Sequence, residues 1–442
     1  MTARLAPRGH LSEELPYERS VLPNGLRVVT QEMPHARSVS VALFVGVGSR
    51  HEDDPQAGLS HLLEHLVFKG TAGYPEPGAL SELIEGCGGS VNASTDRELT
   101  AYTARVPASA AATALTAVRE LALRPLLRRA DLASEKPVIV DEIRMYMDSP
   151  SDHVFTLFDE LLFGGHPLGR EIAGTPRSVR RTTRELAVSH WHHWYRPEHL
   201  VLAVAGAIDH PTVLRLIDHW WETDGGLGDA ALPPTELLTV PPQFTEAGSM
   251  VVAHRNLSQG NLCLGMPGVA RTDPDRWALD LVGAVLGDGM SSRLFLELRE
   301  RRSLAYDVST FASTYADCGT MGIHAGFDPE RLDEVVAAIL HELDRLTQEP
   351  VGPAELERAR AYTRGRLELR MEESGAVASW LGSGEILLPQ IMTVAEVVEQ
   401  FEAVTAEQML EVARRYLQPS NARLALLGPF RRSPRVERLL TA

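Results

Sequence analysis

The chain has 442 residues, with 43 Lys and Arg against 59 Asp and Glu, and a formal net charge of −16. That length exceeds one ordinary hydrophobic core and implies at least two domains. The acidic balance excludes a nucleic-acid backbone as the main partner, because phosphate binding needs clustered positive charge, and 44% hydrophobic with 23% charged residues excludes a disordered or low-complexity chain.

The N-terminal stretch lacks a long apolar run and carries Glu13, Glu14 and Glu18, so neither a signal peptide nor a transit peptide is read there. Three scattered cysteines, Cys87, Cys263 and Cys318, form no CxxC pair and point to a reducing compartment. The longest apolar runs are about half the length that crosses a bilayer. A cytoplasmic protein without a membrane partner is expected.

Pro23-Asn24-Gly25 marks a hairpin. Val39, Val41, Leu43, Val45 and Val47 alternate with smaller residues, the pattern of a strand with one buried face. Asp54-Pro55 then reads as a helix start, with Asp as N-cap. On that helix stands His61-Leu62-Leu63-Glu64-His65. Histidines four apart lie one turn apart on one face, so both rings can reach one metal ion, with Glu64 on the flank. This is the HxxEH inverzincin order, the HExxH zinc helix read in the opposite chain direction. Chance predicts at most about 0.08 such patterns in a chain of this composition. A catalytic zinc site needs a third protein ligand. The segment SEKPVIVDEIRMY offers Glu135 and Glu142 on one helix face, with Ser134 as N-cap and Pro137 in the first turn.

Further on, SHWHHWYRPEHL is rich in histidine but has no acid or thiol at ligand spacing, and reads as a helix end packed beneath the strand LVLAVAGAI. Residues 223–243, rich in Gly and Pro, read as a linker. Beyond them the plan recurs 219 residues on: Leu262, Leu264 and Met266 alternate, and Asp273-Pro274 opens a helix. At that offset His61, Glu64 and His65 fall on Asp280, Gly283 and Ala284, so the second copy has kept the plan without the ligands. The expected fold is α+β, in two homologous domains of residues 1–222 and 244–442. Each would be a largely antiparallel sheet with helices on one face.

GLSHLLEHLVFKGT, with EKPVIVDEIRMYMDSP downstream, resembles the M16 family of zinc peptidases (pitrilysin and mitochondrial processing peptidase). That resemblance implies a LuxS/metallohydrolase-like half of a clamshell, one Zn2+ per chain, and a glutamate ligand 76 residues after the second histidine. Here 76 residues separate His65 from Glu142, which selects Glu142 over Glu135 and Asp141. It also implies that Glu135 orients a ligand histidine, that Glu64 is the general base, and that Asn92 and Ala93 in GGSVNASTDRELTAY line the cleft as an edge strand. In LRERRSLAYDV, Arg299 and Tyr306 match the family's Arg/Tyr pair, with Arg holding the substrate main chain and Tyr the oxyanion. The implied activity is a zinc endopeptidase acting on peptides or unfolded segments, as a homodimer. The alternatives are a catalytic subunit of a heterodimer with a related partner, and a non-catalytic structural subunit.

Overall fold

The computed structural model describes residues 17–218, 220, 240–246, 249–431 and 433–441. Most of the expected linker, residues 223–239, lies outside them.

Two sheets dominate. The first has six strands, β1 (Glu18–Val21), β2 (Arg27–Glu32), β3 (Ser38–Val45), β4 (Ser90–Thr95), β5 (Thr100–Pro107) and β6 (Leu200–Gly206), in the order β1-β2-β6-β3-β5-β4. The second has five, β7 (Met250–His254), β8 (Gly260–Gly268), β9 (Ala305–Thr314), β10 (Gly319–Phe327) and β11 (Arg423–Gly428), in the order β7-β11-β8-β10-β9. Without β1 the two orders correspond strand for strand. Each holds a single parallel pair, β2 with β6 and β7 with β11, and is otherwise antiparallel. The predicted hairpin joins β1 and β2, where Gly25 takes the left-handed φ of +95° that the turn needs.

The odd positions of β3, Val39, Val41, Leu43 and Val45, pack with Leu62, Leu66, Tyr102 and Val204 in the first half's own core. The expectation of one buried face fails at the even positions, because Ser40, Ala42 and Phe44 are buried as well. They are covered by a helix from the second half, Ser374–Leu387, whose Val377, Ala378 and Leu381 pack on Ala42, Phe44, Val201 and Ala203. The exchange is reciprocal. The helix Pro150–Phe163 leaves the first half, and its Val154, Phe158 and Leu162 pack on Cys263, Ala425 and Leu427 of the second sheet. Each sheet thus carries its own helices on one face and a helix of the other half on the other.

Small residues permit that approach. A Cβ on Gly382 would stand 2.1 Å from the Phe44 ring and 3.0 Å from Ala203 Cβ, whereas one on Gly375 would meet only Ser40 Oγ at 3.7 Å. Gly382→Ala is therefore expected to destabilise the chain by about 1–3 kcal/mol through overpacking. Gly375→Ala should be neutral, or stabilising by up to about 1 kcal/mol through helix propensity. Urea unfolding midpoints of the two variants would check this contrast.

Among the described residues no helix is long and apolar enough to cross a membrane.

Candidate metal centre

The HxxEH segment lies on α1 (Leu59–Val67), one face of which buries Leu59, Leu62, Leu63 and Leu66. The helix does not start at Asp54, as its Asp-Pro pair predicts. Asp54–Gln56 forms a separate single turn, and Gly58, at φ +89°, breaks the chain before Leu59. Its backbone passes so close to the Ala173 carbonyl that a Cβ would come within 2.3 Å. The cap is supplied from further back: buried Glu52 accepts hydrogen bonds from the amides of Gly58 (2.7 Å) and Ser60 (2.6 Å). A carboxylate there satisfies first-turn donors that otherwise have no partner. The sequence reading missed Glu52, because capping motifs are sought immediately before a helix, and here the capping acid is separated from it by a turn.

The third ligand candidate comes from α2 (Arg129–Asp148). This helix begins before the predicted cap, so Ser134 is internal, its hydroxyl bonded to the Asp131 carbonyl, and Pro137 lies within the helix rather than in its first turn. Glu135 and Glu142 still share a face, whereas Asp141 points outward to Arg144.

His61, His65 and Glu142 converge, with ligand atoms all within 4.8 Å of one another. His61 Nε2 stands 3.6 Å from one Glu142 oxygen, and His65 Nε2 stands 3.3 Å from the other. Tetrahedral ligands at about 2.1 Å from zinc are separated by about 3.4 Å, so the donor set and its spacing fit a His2Glu zinc site. Burial, and secondarily the neighbouring His65, pushes the His61 imidazole down to about 4, which keeps it neutral as a ligand must be. Behind His65 runs a short chain of contacts. Its Nδ1 is 3.3 Å from buried Glu135, whose other oxygen is held by Lys69 Nζ at 2.6 Å. A carboxylate on Nδ1 fixes the tautomer that leaves Nε2 free for metal.

Glu64 sits beside the triad. The Thr95 hydroxyl, at the end of β4, donates to its Oε2 at 2.6 Å. Burial raises the Glu64 carboxyl above its ordinary range, and the negative Glu142 adds to this against the pull of Thr95 and His65. Thr95 also escaped the sequence reading, although it stands in the same strand as Asn92 and Ala93. That strand is the free edge of the first sheet, paired only with β5. Asn92 is exposed and Ala93 buried.

Arg299 and Tyr306 lie in the second half. Arg299 is in a π-helical segment, Phe295–Arg301, its guanidinium 4.9 Å from the Phe295 ring centre. Tyr306 is half exposed on the edge strand β9, its ring lying over Gly326. Among the described residues neither forms a hydrogen bond or ion pair with the metal triad or Glu64.

The histidine-rich run forms the helix Arg184–Trp194, which lies behind α1. His190 Nε2 is 3.3 Å from Ser60 Oγ, and the Trp194 ring lies among those of His51, His190, His193 and His199. Burial depresses His51 to about 4 and His190 to about 3. Both are bases whose folded values lie below the unfolded value of about 6.5, so their neutral forms are fully stabilising above that pH. Stability should then fall as pH drops from about 6.5 towards 4, by up to about 1.4 kcal/mol per pH unit for each histidine. Urea unfolding at neutral and mildly acid pH, with His190→Gln as a variant of reduced slope, would check it.

Residues 27–176 match the model of the insulinase family, peptidase family M16, and residues 181–362 match that of the peptidase M16 inactive domain. An uncharacterized zinc protease of Streptomyces coelicolor is 36% identical, over 93% of this chain and 90% of its own. The uncharacterized zinc protease YmxG of Bacillus subtilis is 32% identical, over 94% and 99%. The fold matches the crystal structure of a protease from Helicobacter pylori with a TM-score of 0.85 at 23% identity, covering 94% of this chain and 99% of that one.

Proposed function

The chain belongs to the M16 family of zinc proteases, and from that premise we propose that it is a zinc-dependent endopeptidase acting on peptides and unfolded segments. The observation that carries this reading is the convergence of His61, His65 and Glu142 at zinc-ligand spacing with Glu64 alongside. One zinc ion held there would act as a Lewis acid, polarising a carbonyl oxygen and acidifying water. Glu64 takes a proton from the attacking water and returns it to the leaving amine. The Thr95 hydroxyl holds one Glu64 oxygen in place for that exchange. Glu135 positions His65. The exposed edge of β4, with Asn92 and Ala93, would take an extended substrate by strand addition, which gives affinity with weak sequence preference.

Arg299 would bind the substrate main chain and Tyr306 would donate to the developing oxyanion. Retention of this pair in a chain that also carries the HxxEH motif supports a homodimer, and the alternative is a heterodimer with a related subunit. The domain division follows this split, with a metal-binding catalytic domain to residue 222 and a metal-free homologous domain from residue 244. We place the protein in the cytoplasm.

The test is to purify the chain alone, measure zinc and mass, and assay a quenched peptide library before and after chelation. Zinc near one per chain, dimeric mass and chelator-sensitive cleavage restored by zinc are expected. Absence of both metal and cleavage, alone and with a paralogue, would overturn the reading.

A further inference from the structure

In a chain of net charge −16 a groove lined by unpaired cations stands out. One of about 690 Å³ lies at the end of β4 remote from Glu64. Its walls carry His35 and Arg37 from the approach to β3, Arg105 from β5, and the backbone of Gly88 and Gly89; Glu372 is the one acid lining it. Arg37 and Arg105 are exposed, and among the described residues neither side chain makes a hydrogen bond or ion pair.

The register ties this groove to the cleft. Arg105 pairs with Ser90, the first residue of β4, and Thr95, which holds Glu64, is its last. Thr95 is five positions beyond Ser90, which is about 17 Å of strand at roughly 3.4 Å per residue. Arg105 points to the same sheet face as Asn92 and away from Thr95, since Tyr102, Ala104 and Val106 of β5 and Ala93 of β4 face the core, so it would meet a strand residue an odd number of positions from the one beside Thr95. A peptide lying along the free edge of β4 would therefore reach the groove about five residues from the bond at Glu64, a spacing taken from the strand rise.

We propose that this groove is a remote subsite for a carboxylate of the substrate, an Asp or Glu side chain or a terminal carboxylate, held by Arg37 and Arg105. The proposal rests on the edge-strand reading of peptide binding given above. It makes the enzyme selective for a charge placed well away from the cleaved bond, with otherwise little demand on sequence.

The experiment scans one Glu through a neutral quenched peptide and compares kcat/KM with that of the Gln peptide at each position. A single maximum is expected about five residues from the cleaved bond, with a preference of roughly three- to tenfold, the scale of one or two exposed ion pairs. It should shrink in high salt. Arg105→Glu should invert it, favouring Lys over Glu at that position, an outcome that a merely misfolded variant would not produce. Anisotropy binding of the same labelled peptides to the Glu64→Gln variant reads the subsite without turnover, so its failure is separable from that of the peptidase reading. No positional preference in cleavage or binding, or an Arg105→Glu variant that still prefers Glu, would overturn the proposal.

Discussion

Glu64→Gln is expected to reduce kcat by about 10³-fold or more, within or beyond the usual range for loss of a positioned general base, while zinc content remains that of the wild type. Gln keeps the shape and still accepts from Thr95, but has no carboxylate to take a proton. The proposed ligands His61, His65 and Glu142 are left untouched, and Glu64 lies outside the group whose ligand atoms converge. Metal analysis alongside single-turnover kinetics separates the two effects. A variant that cleaved at the wild-type rate would remove Glu64 from the mechanism, and one that lost its zinc would make it a structural residue. Thr95→Val tests the support of this base: the rate should fall by a smaller factor, with a shifted acid limb in the pH profile of kcat.

The second large effect concerns stability. Buried Glu98, in the turn between β4 and β5, accepts from Arg50 Nη1 at 2.8 Å, from Arg271 and from the Ala316 amide at 3.1 Å. Arg50 also donates to Asp317 at 2.5 Å. Two residues of the first half thus interlock with three of the second in a nearly dry site. Glu98→Ala would leave the buried Arg50 and the part-buried Arg271 with half their partners gone. The expected loss is about 3–5 kcal/mol, the range for breaking a buried ion pair from one side. The same turn carries Thr95 at one end, and Arg97 within it is tied to Asp159 and to the carbonyls of Leu168 and Arg170. Loosening it should therefore reduce kcat as well as the urea midpoint. A midpoint unchanged in Glu98→Ala would mean that solvent already reaches the network.

Much of the local plan was legible because it rests on short-range rules. The alternation in β3, the Gly25 turn and the one-turn spacing of His61 and His65 are consequences of strand and helix periods. The corresponding strand orders follow from the repeat, and among the described residues the candidate metal-binding cluster lies in the first copy. What escaped the reading was settled by distant contacts. The start of α1 at Leu59 depends on Glu52 and on the passing Ala173 carbonyl, neither of which a capping motif reports. Pro137 inside α2 shows tertiary packing overriding a local penalty of about 3 kcal/mol. Thr95 gains its role only because the end of β4 lies against α1. The even face of β3 could not be assigned from its small residues, since the helix that covers it is far along the chain.

That exchange of Pro150–Phe163 for Ser374–Leu387 has the topology of a domain-swapped dimer whose two subunits have become one polypeptide. Neither half is then a self-contained folding unit. Each, made alone, would present a bare apolar sheet face and an orphan apolar-faced helix, the ingredients of aggregation. Severing the chain between the halves should leave the fragments clasped together, and recombining halves from different relatives would succeed only where the exchanged helix and its receiving sheet travel as a matched set.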